Sequence, residues 1–100
     1  MSTNGLRVRY YGLARNAVGL GEDTLQLTAG STVRQLLDQL VALNGDQFRH
    51  SVVTVDGRLR PTAHVLLGDT DIADLDGLET VLEATDTVTI MVIVYPVEGG

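Results

Sequence analysis

The sequence of 100 residues contains no cysteine, no tryptophan and no lysine, and only two prolines. Without cysteine there is no disulfide, no thiolate metal site and no cysteine nucleophile. Without lysine, the basic charge rests on seven arginines: Arg7, Arg9, Arg15, Arg34, Arg49, Arg58 and Arg60. Biased genomic composition explains this without any function; its chemical consequence is that no side-chain amine is present for isopeptide chemistry, and the chain cannot build lysine-linked chains on itself. No apolar run approaches the roughly 20 residues of a membrane span, and no signal-peptide pattern opens the sequence. A cytoplasmic protein with no membrane association is expected. His50 and His64 have no partner at metal-ligand spacing, so both read as surface or loop residues and no metal site is expected.

What is present bounds a single domain over residues 1–100, since two halves would each have too small a core. Hydrophobic residues make up 44 %, enough for one packed core, and no disordered segment is needed to explain the composition. The net charge of −6 argues against nucleic acid, because phosphate binding needs a basic face. Acids crowd one segment: Asp69, Asp71, Asp74, Asp76, Glu79, Glu83 and Asp86. That segment reads either as a solvated, solubilising face or as a negative surface steering the domain to a basic partner. Asp69 with Asp71, or Asp74 with Asp76, imitates a catalytic pair, but a solvated acidic loop is the better reading. No glycine-rich phosphate loop followed by lysine and no nucleophile–base pair stands out, so the chain is not expected to be an enzyme.

The pattern of elements is a compact alternation. Leu6 to Tyr11 alternates apolar and polar at period two, a strand signal, and stops at Gly12. Leu13 to Val18 predicts a short helical turn closed by Gly19 and Gly21, and Thr24 to Leu27 a second strand forming a hairpin with the first. From Thr32 the signals for a helix are strong. Thr32 with Gln35 matches a capping box, and Val33, Leu36, Leu37, Leu40 and Val41 recur on one face of about 12 residues. Asn44-Gly45 supplies the stop. Val52 to Val55, Asp56-Gly57 and Arg58 to Arg60 predict a small hairpin. Ala63 to Leu67 predicts a further strand ended by Gly68-Asp69. Asp71 to Leu82 predicts a loop with short ordered pieces, including an Asp76-Gly77 turn.

The last strand spans Thr87 to Tyr95. Ile90, Val92 and Val94 share one face; Thr89, Met91, Ile93 and Tyr95 share the other. A strand apolar on both faces is usually central in its sheet. With one main helix available, Met91, Ile93 and Tyr95 are either a partner-binding patch or covered by loop residues. After the strand, Pro96 ends pairing and Gly99-Gly100 carries no side chain. Residues 96–100 thus read as a flexible arm with a fixed exit point, able to lie extended in a narrow channel. Its chemical handle is the α-carboxylate of Gly100.

The order strand, strand, helix, strand, long connection and final strand is that of an α+β, ubiquitin-like β-grasp fold. It implies a mixed sheet of about four to five strands, with one main helix packed across it and an extended C-terminal Gly-Gly tail. The chain resembles the ubiquitin-like sulfur-carrier family, which includes the small subunit of molybdopterin synthase and the carrier for thiamin thiazole. The matching residues are Val8-Arg9-Tyr10-Tyr11-Gly12-Leu13-Ala14, Thr32-Val33-Arg34-Gln35-Leu36-Leu37, and Asp56-Gly57-Arg58-Leu59-Arg60-Pro61. Leu75-Asp76-Gly77-Leu78-Glu79-Thr80 and Pro96-Val97-Glu98-Gly99-Gly100 complete the match. Glu98 departs from it, standing where family members more often carry a small residue.

The resemblance implies that Gly100 is the reacting residue. A ubiquitin-activating-type adenylyltransferase would use ATP to adenylate its carboxylate, and a sulfur donor would convert it to a thiocarboxylate. Gly99 would give clearance, Pro96-Val97 would set the exit direction, and the chain itself would bind no cofactor. An acceptor enzyme such as the molybdopterin synthase large subunit would receive the sulfur, the Pro-Val-X-Gly-Gly ending being most like that branch. A protein modifier conjugated to lysines, a carrier for thiamin, cysteine or tRNA thiolation, and a passive partner-binding domain are the alternatives.

Overall fold

The computed structural model describes residues 5–28, 30–83 and 86–93. Five strands form one sheet in the order β2-β1-β5-β3-β4: β1 Gly5–Gly12, β2 Glu22–Gln26, β3 Ala63–Leu67, β4 Thr70–Asp71 and β5 Thr87–Val92. β1 runs antiparallel to β2 and parallel to β5, and β5 runs antiparallel to β3. The first and last strands therefore pair in parallel inside a mixed sheet, and β5 takes the central place that its apolar run predicts, although the second face of Thr87–Val92 is Thr87, Thr89 and Met91.

Period-two alternation decides which side of the sheet is dry. Leu6, Val8 and Tyr10 of β1, Ala63 and Val65 of β3, and Val88, Ile90 and Val92 of β5 are all buried in one cluster. The cover is helix α2, Val33–Asn44, whose Val33, Leu36, Leu37 and Leu40 enter the same cluster. Each such side chain removed from water contributes about 1.5–3 kcal/mol.

The start of α2 is held as its sequence predicts. The Thr32 hydroxyl accepts from the Gln35 N–H at 3.3 Å, and the Gln35 side chain accepts from the Thr32 N–H at 2.9 Å. The segment after the long connection pins the same corner, Val33 N–H donating to Thr80 O (3.0 Å) and Leu82 N–H to Ser31 O (2.7 Å).

Two further helices accompany α2. Helix α1, Leu13–Val18, lies where a helical turn is predicted, but α3, Asp46–Val52, replaces the start of the predicted hairpin at Val52. Gly45 makes the change of direction, with φ +86°, while its N–H closes α2 on Val41 O at 2.8 Å. Phe48 and Val52, four residues apart on one helical face, are both fully buried, and Phe48 meets Tyr10 edge-on at 6.2 Å between ring centroids. That burial outweighs the strand preference of Val52, Val53 and Val55. Of the hairpin, one bridge between Val53 and Leu59 remains, closed by Thr54 N–H to Arg58 O at 2.7 Å. The connection before β5 contains the two-residue β4 and two 3₁₀ turns, Ile72–Asp74 and Gly77–Glu79. Ile72 and Leu82 anchor it in the core.

Candidate functional site: the open sheet face and the chain exit

The sheet face opposite α2 is lined by the alternate residues of three strands. Pairing registers set Tyr11 beside Met91 and Met91 beside His64, making one row across β1, β5 and β3. The next row contains Arg9, Thr89 and Leu66, with Glu22 of β2 beyond Arg9. Tyr11 is 38 % exposed, and Met91 and His64 are half-buried.

Charges frame this strip. Arg7 and Arg9 flank Glu22, at 3.4 and 3.8 Å, and the Arg9 guanidinium sits 5.5 Å from the centroid of the Tyr11 ring. Across the sheet, His64 Nδ1 lies 3.6 Å from Asp71 Oδ2. These are exposed or half-exposed pairs, and each contributes about 0–1 kcal/mol. Arg9 is shared between Glu22 and the Tyr11 ring, which ties the two rows of the open face together.

At the end of β5 the backbone is gripped on both sides. The Ile93 N–H donates to Thr62 O at 2.9 Å, the last hydrogen bond before residue 94. On the other side Gly12 faces Val92, with φ +66°, and turns the chain from β1 into α1. A side chain on Gly12 would strike the Val92 carbonyl oxygen. Leu13, 41 % exposed, and Ile93, 36 % exposed, then lie with Gly12 and Val92 around a shallow apolar hollow at this exit.

Of the predicted site residues, the structure brings Met91 into the open row and leaves Ile93 exposed at its end. Tyr95, Pro96, Val97, Glu98, Gly99 and Gly100 lie outside the described residues. Tyr11, Arg9 and His64 are additions that sequence reasoning missed. The alternation Leu6 to Tyr11 already places Tyr11 opposite the buried Tyr10, so that signal was available. His64 joins only through the β3–β5 register.

The acidic segment is partly committed to structure. Glu79 pairs with Arg34 at 2.7 Å, Asp71 Oδ1 accepts from the Ala73 N–H at 2.9 Å, and Asp86 Oδ2 accepts from the Glu83 N–H at 2.7 Å. Among the described residues no group of three His, Asp or Glu side chains is placed to hold a metal ion. No helix among them is long and apolar enough to cross a membrane.

One main helix on a five-stranded mixed sheet, with the chain's first and last strands paired in parallel and an open opposite face, defines a ubiquitin-like β-grasp protein. The sequence profile of the ThiS family matches residues 8–100, and the chain belongs to that family of ubiquitin-like sulfur carriers. Its fold is similar to that of Urm1 from Trypanosoma brucei (TM-score 0.79, 22 % identity, covering 96 % of this chain and 99 % of that one). It is also similar to small archaeal modifier protein 1 from Methanosarcina acetivorans (TM-score 0.74, 26 % identity, 96 % of each chain). A putative molybdopterin converting factor, subunit 1, from Pyrococcus furiosus matches with TM-score 0.71 and 18 % identity, over 90 % of this chain and 98 % of that one. No curated protein sequence matches at a significant level.

Proposed function

We propose that this chain carries sulfur on the carboxylate of Gly100. A ubiquitin-activating-type enzyme binds the domain, and a Gly100 oxygen attacks the α-phosphate of ATP, releasing pyrophosphate and forming an acyl-adenylate. Hydrosulfide released by a donor then adds to the acyl carbon; the bond to AMP breaks, AMP leaves with the bonding pair, the sulfur gives its proton to water, and a thiocarboxylate remains. The observation that carries this reading is a family match that runs through Gly100 on a fold whose central strand leads to the exit at Ile93.

The chain contributes a rigid body and a slim end, not an acid, base or metal, and catalysis by positioning requires no more of it. Met91 and Ile93, continued by Tyr95, dock the activating enzyme. Pro96 and Val97 direct the end into its channel, Glu98 and Gly99 follow, and ATP belongs to the partner. The setting is the cytoplasm. For the acceptor we favour a molybdopterin precursor bound by a larger synthase subunit, a choice supported by the Pro-Val-Glu-Gly-Gly ending and by the Pyrococcus neighbour. Identity of 26 % to an archaeal modifier favours, as a second reading, transfer of the same adenylate to lysines of other proteins.

Intact-mass measurement after incubation with the cognate activating enzyme, ATP and a sulfide source tests the proposal. The expected product is heavier by the difference between sulfur and oxygen, located at Gly100. An enzyme-, ATP- and sulfide-complete mixture that leaves the mass unchanged overturns it, and lysine conjugates in place of that gain favour the second reading.

A further inference from the structure

We propose that arginine rather than lysine at positions 7, 9 and 15 keeps the surface around the chain exit inert towards its own activated terminus. The inference rests on Gly100 being activated and concerns what the acyl group meets before transfer. Seven residues follow Ile93 and span at most about 24 Å. Arg9 pairs with Thr89, four positions back along β5, so it lies about 13 Å from the exit. Arg15 is nearer still, lining the exit hollow with Gly12, Leu13 and Ile93. Arg7, Arg9 and Arg15 are all exposed. An amine at any of these positions would lie within reach of the acyl carbon, at an effective concentration on the order of millimolar.

The chemistry that would follow is simple. A neutral lysine nitrogen adds to the Gly100 acyl carbon, a C–N bond forms, and the bond to the leaving group breaks. AMP departs with the bonding pair, and the nitrogen gives its extra proton to water. The product is a closed amide loop, and the sulfur never loads. A guanidinium does not enter this path, because it stays protonated at any physiological pH. Ion pairing does not explain arginine near the exit. The contacts of Arg7 and Arg9 with Glu22, at 3.4 and 3.8 Å on exposed surface, are ones an ammonium makes as well, whereas Arg34 and Arg60 away from it each donate Nε–H, to Glu79 and to the His50 carbonyl.

The test uses the full chain prepared as a C-terminal thioester by thiolysis of an intein fusion, with its N-terminal amine acetylated. The thioester stands in for the adenylate, having the same Gly100 acyl carbon and a good leaving group. Wild type is expected to decay by hydrolysis alone. R9K and R15K are expected to lose the thioester by forming a cyclised product at a rate that rises about tenfold per pH unit below the lysine pKa, as the neutral amine does. Their product should be one water lighter than the hydrolysed chain, with the new amide mapped to the introduced lysine. Variants that decay no faster than wild type, or a wild type that itself forms the lighter species, overturn the inference. No activating enzyme takes part, so a failure of the proposed function leaves this result standing and is read separately.

Discussion

Gly12 and Val92 face each other at the last rung of the parallel β1–β5 ladder, too close for any side chain on Gly12 to clear the Val92 carbonyl oxygen. The same glycine has φ +66° and starts α1, so three elements meet at one backbone position. Gly12→Ala adds the strain of a backbone region used almost only by glycine, about 1–3 kcal/mol, to the cost of forcing β1 from β5. The expected loss is about 2–4 kcal/mol in denaturant unfolding. An alanine variant as stable as wild type would show that the rung is not as tight as described.

Much of this arrangement is legible in the sequence, and the exceptions have physical causes. The capping box at Thr32 and Gln35 and the stripe from Val33 to Val41 are local signals, and α2 forms as they indicate. The central place of β5 follows from its apolar run, with Val88, Ile90 and Val92 all buried. Helix α3 was not legible because Val52, Val53 and Val55 favour strand locally, whereas the decisive contact is between Phe48 and Tyr10, far apart in sequence. A two-residue strand such as β4 has no pattern at all. The open row Tyr11, Met91 and His64 is assembled by register between three separate segments, which no single segment reveals.

Tyr10 gives the fold a dependence on alkaline pH. Its pKa is pushed up to about 12, chiefly by burial and further by the negative charge of Asp23, with the Asn44 side chain opposing. Above the ordinary tyrosine pKa near 10 the unfolded chain loses this proton while the folded chain keeps it. Folding then binds a proton, and stability falls as pH rises from about 10 to about 12. Below pH 10 the contribution is fully present. Relative to Tyr10→Phe, wild type is expected to lose on the order of 2 kcal/mol across that window, measured by urea unfolding at successive pH values. Parallel curves for the two proteins would show that Tyr10 is not the group responsible.

Partner docking on the open face separates patch chemistry from general hydrophobicity. Met91 and Ile93 lie on the face and at its exit, whereas Val55, 90 % exposed, sits in the turn after α3. Truncation of buried interface anchors typically costs more than 1 kcal/mol, so Met91→Ala combined with Ile93→Ala is expected to weaken binding to the activating enzyme at least about tenfold. Val55→Ala is expected to leave that affinity unchanged. Calorimetric titration decides; equal losses for both changes would remove the open face as the docking surface.

Loading of Gly100 tests the chemistry apart from the fold. The described members of the core cluster end at Val92, and Gly99 brings no side chain to bury. Gly99→Val is therefore expected to change unfolding stability by less than about 0.5 kcal/mol, as for substitutions away from packed features. In the activating enzyme the same change introduces a branched side chain one residue from the acyl carbon. Misplacement there by about 1 Å is enough to cost roughly a hundredfold in rate. Pyrophosphate release and the sulfur-for-oxygen mass gain should both fall by about that factor, with binding of the folded domain retained. Unimpaired thiocarboxylate formation in this variant would show that the end of the chain does not thread a narrow channel.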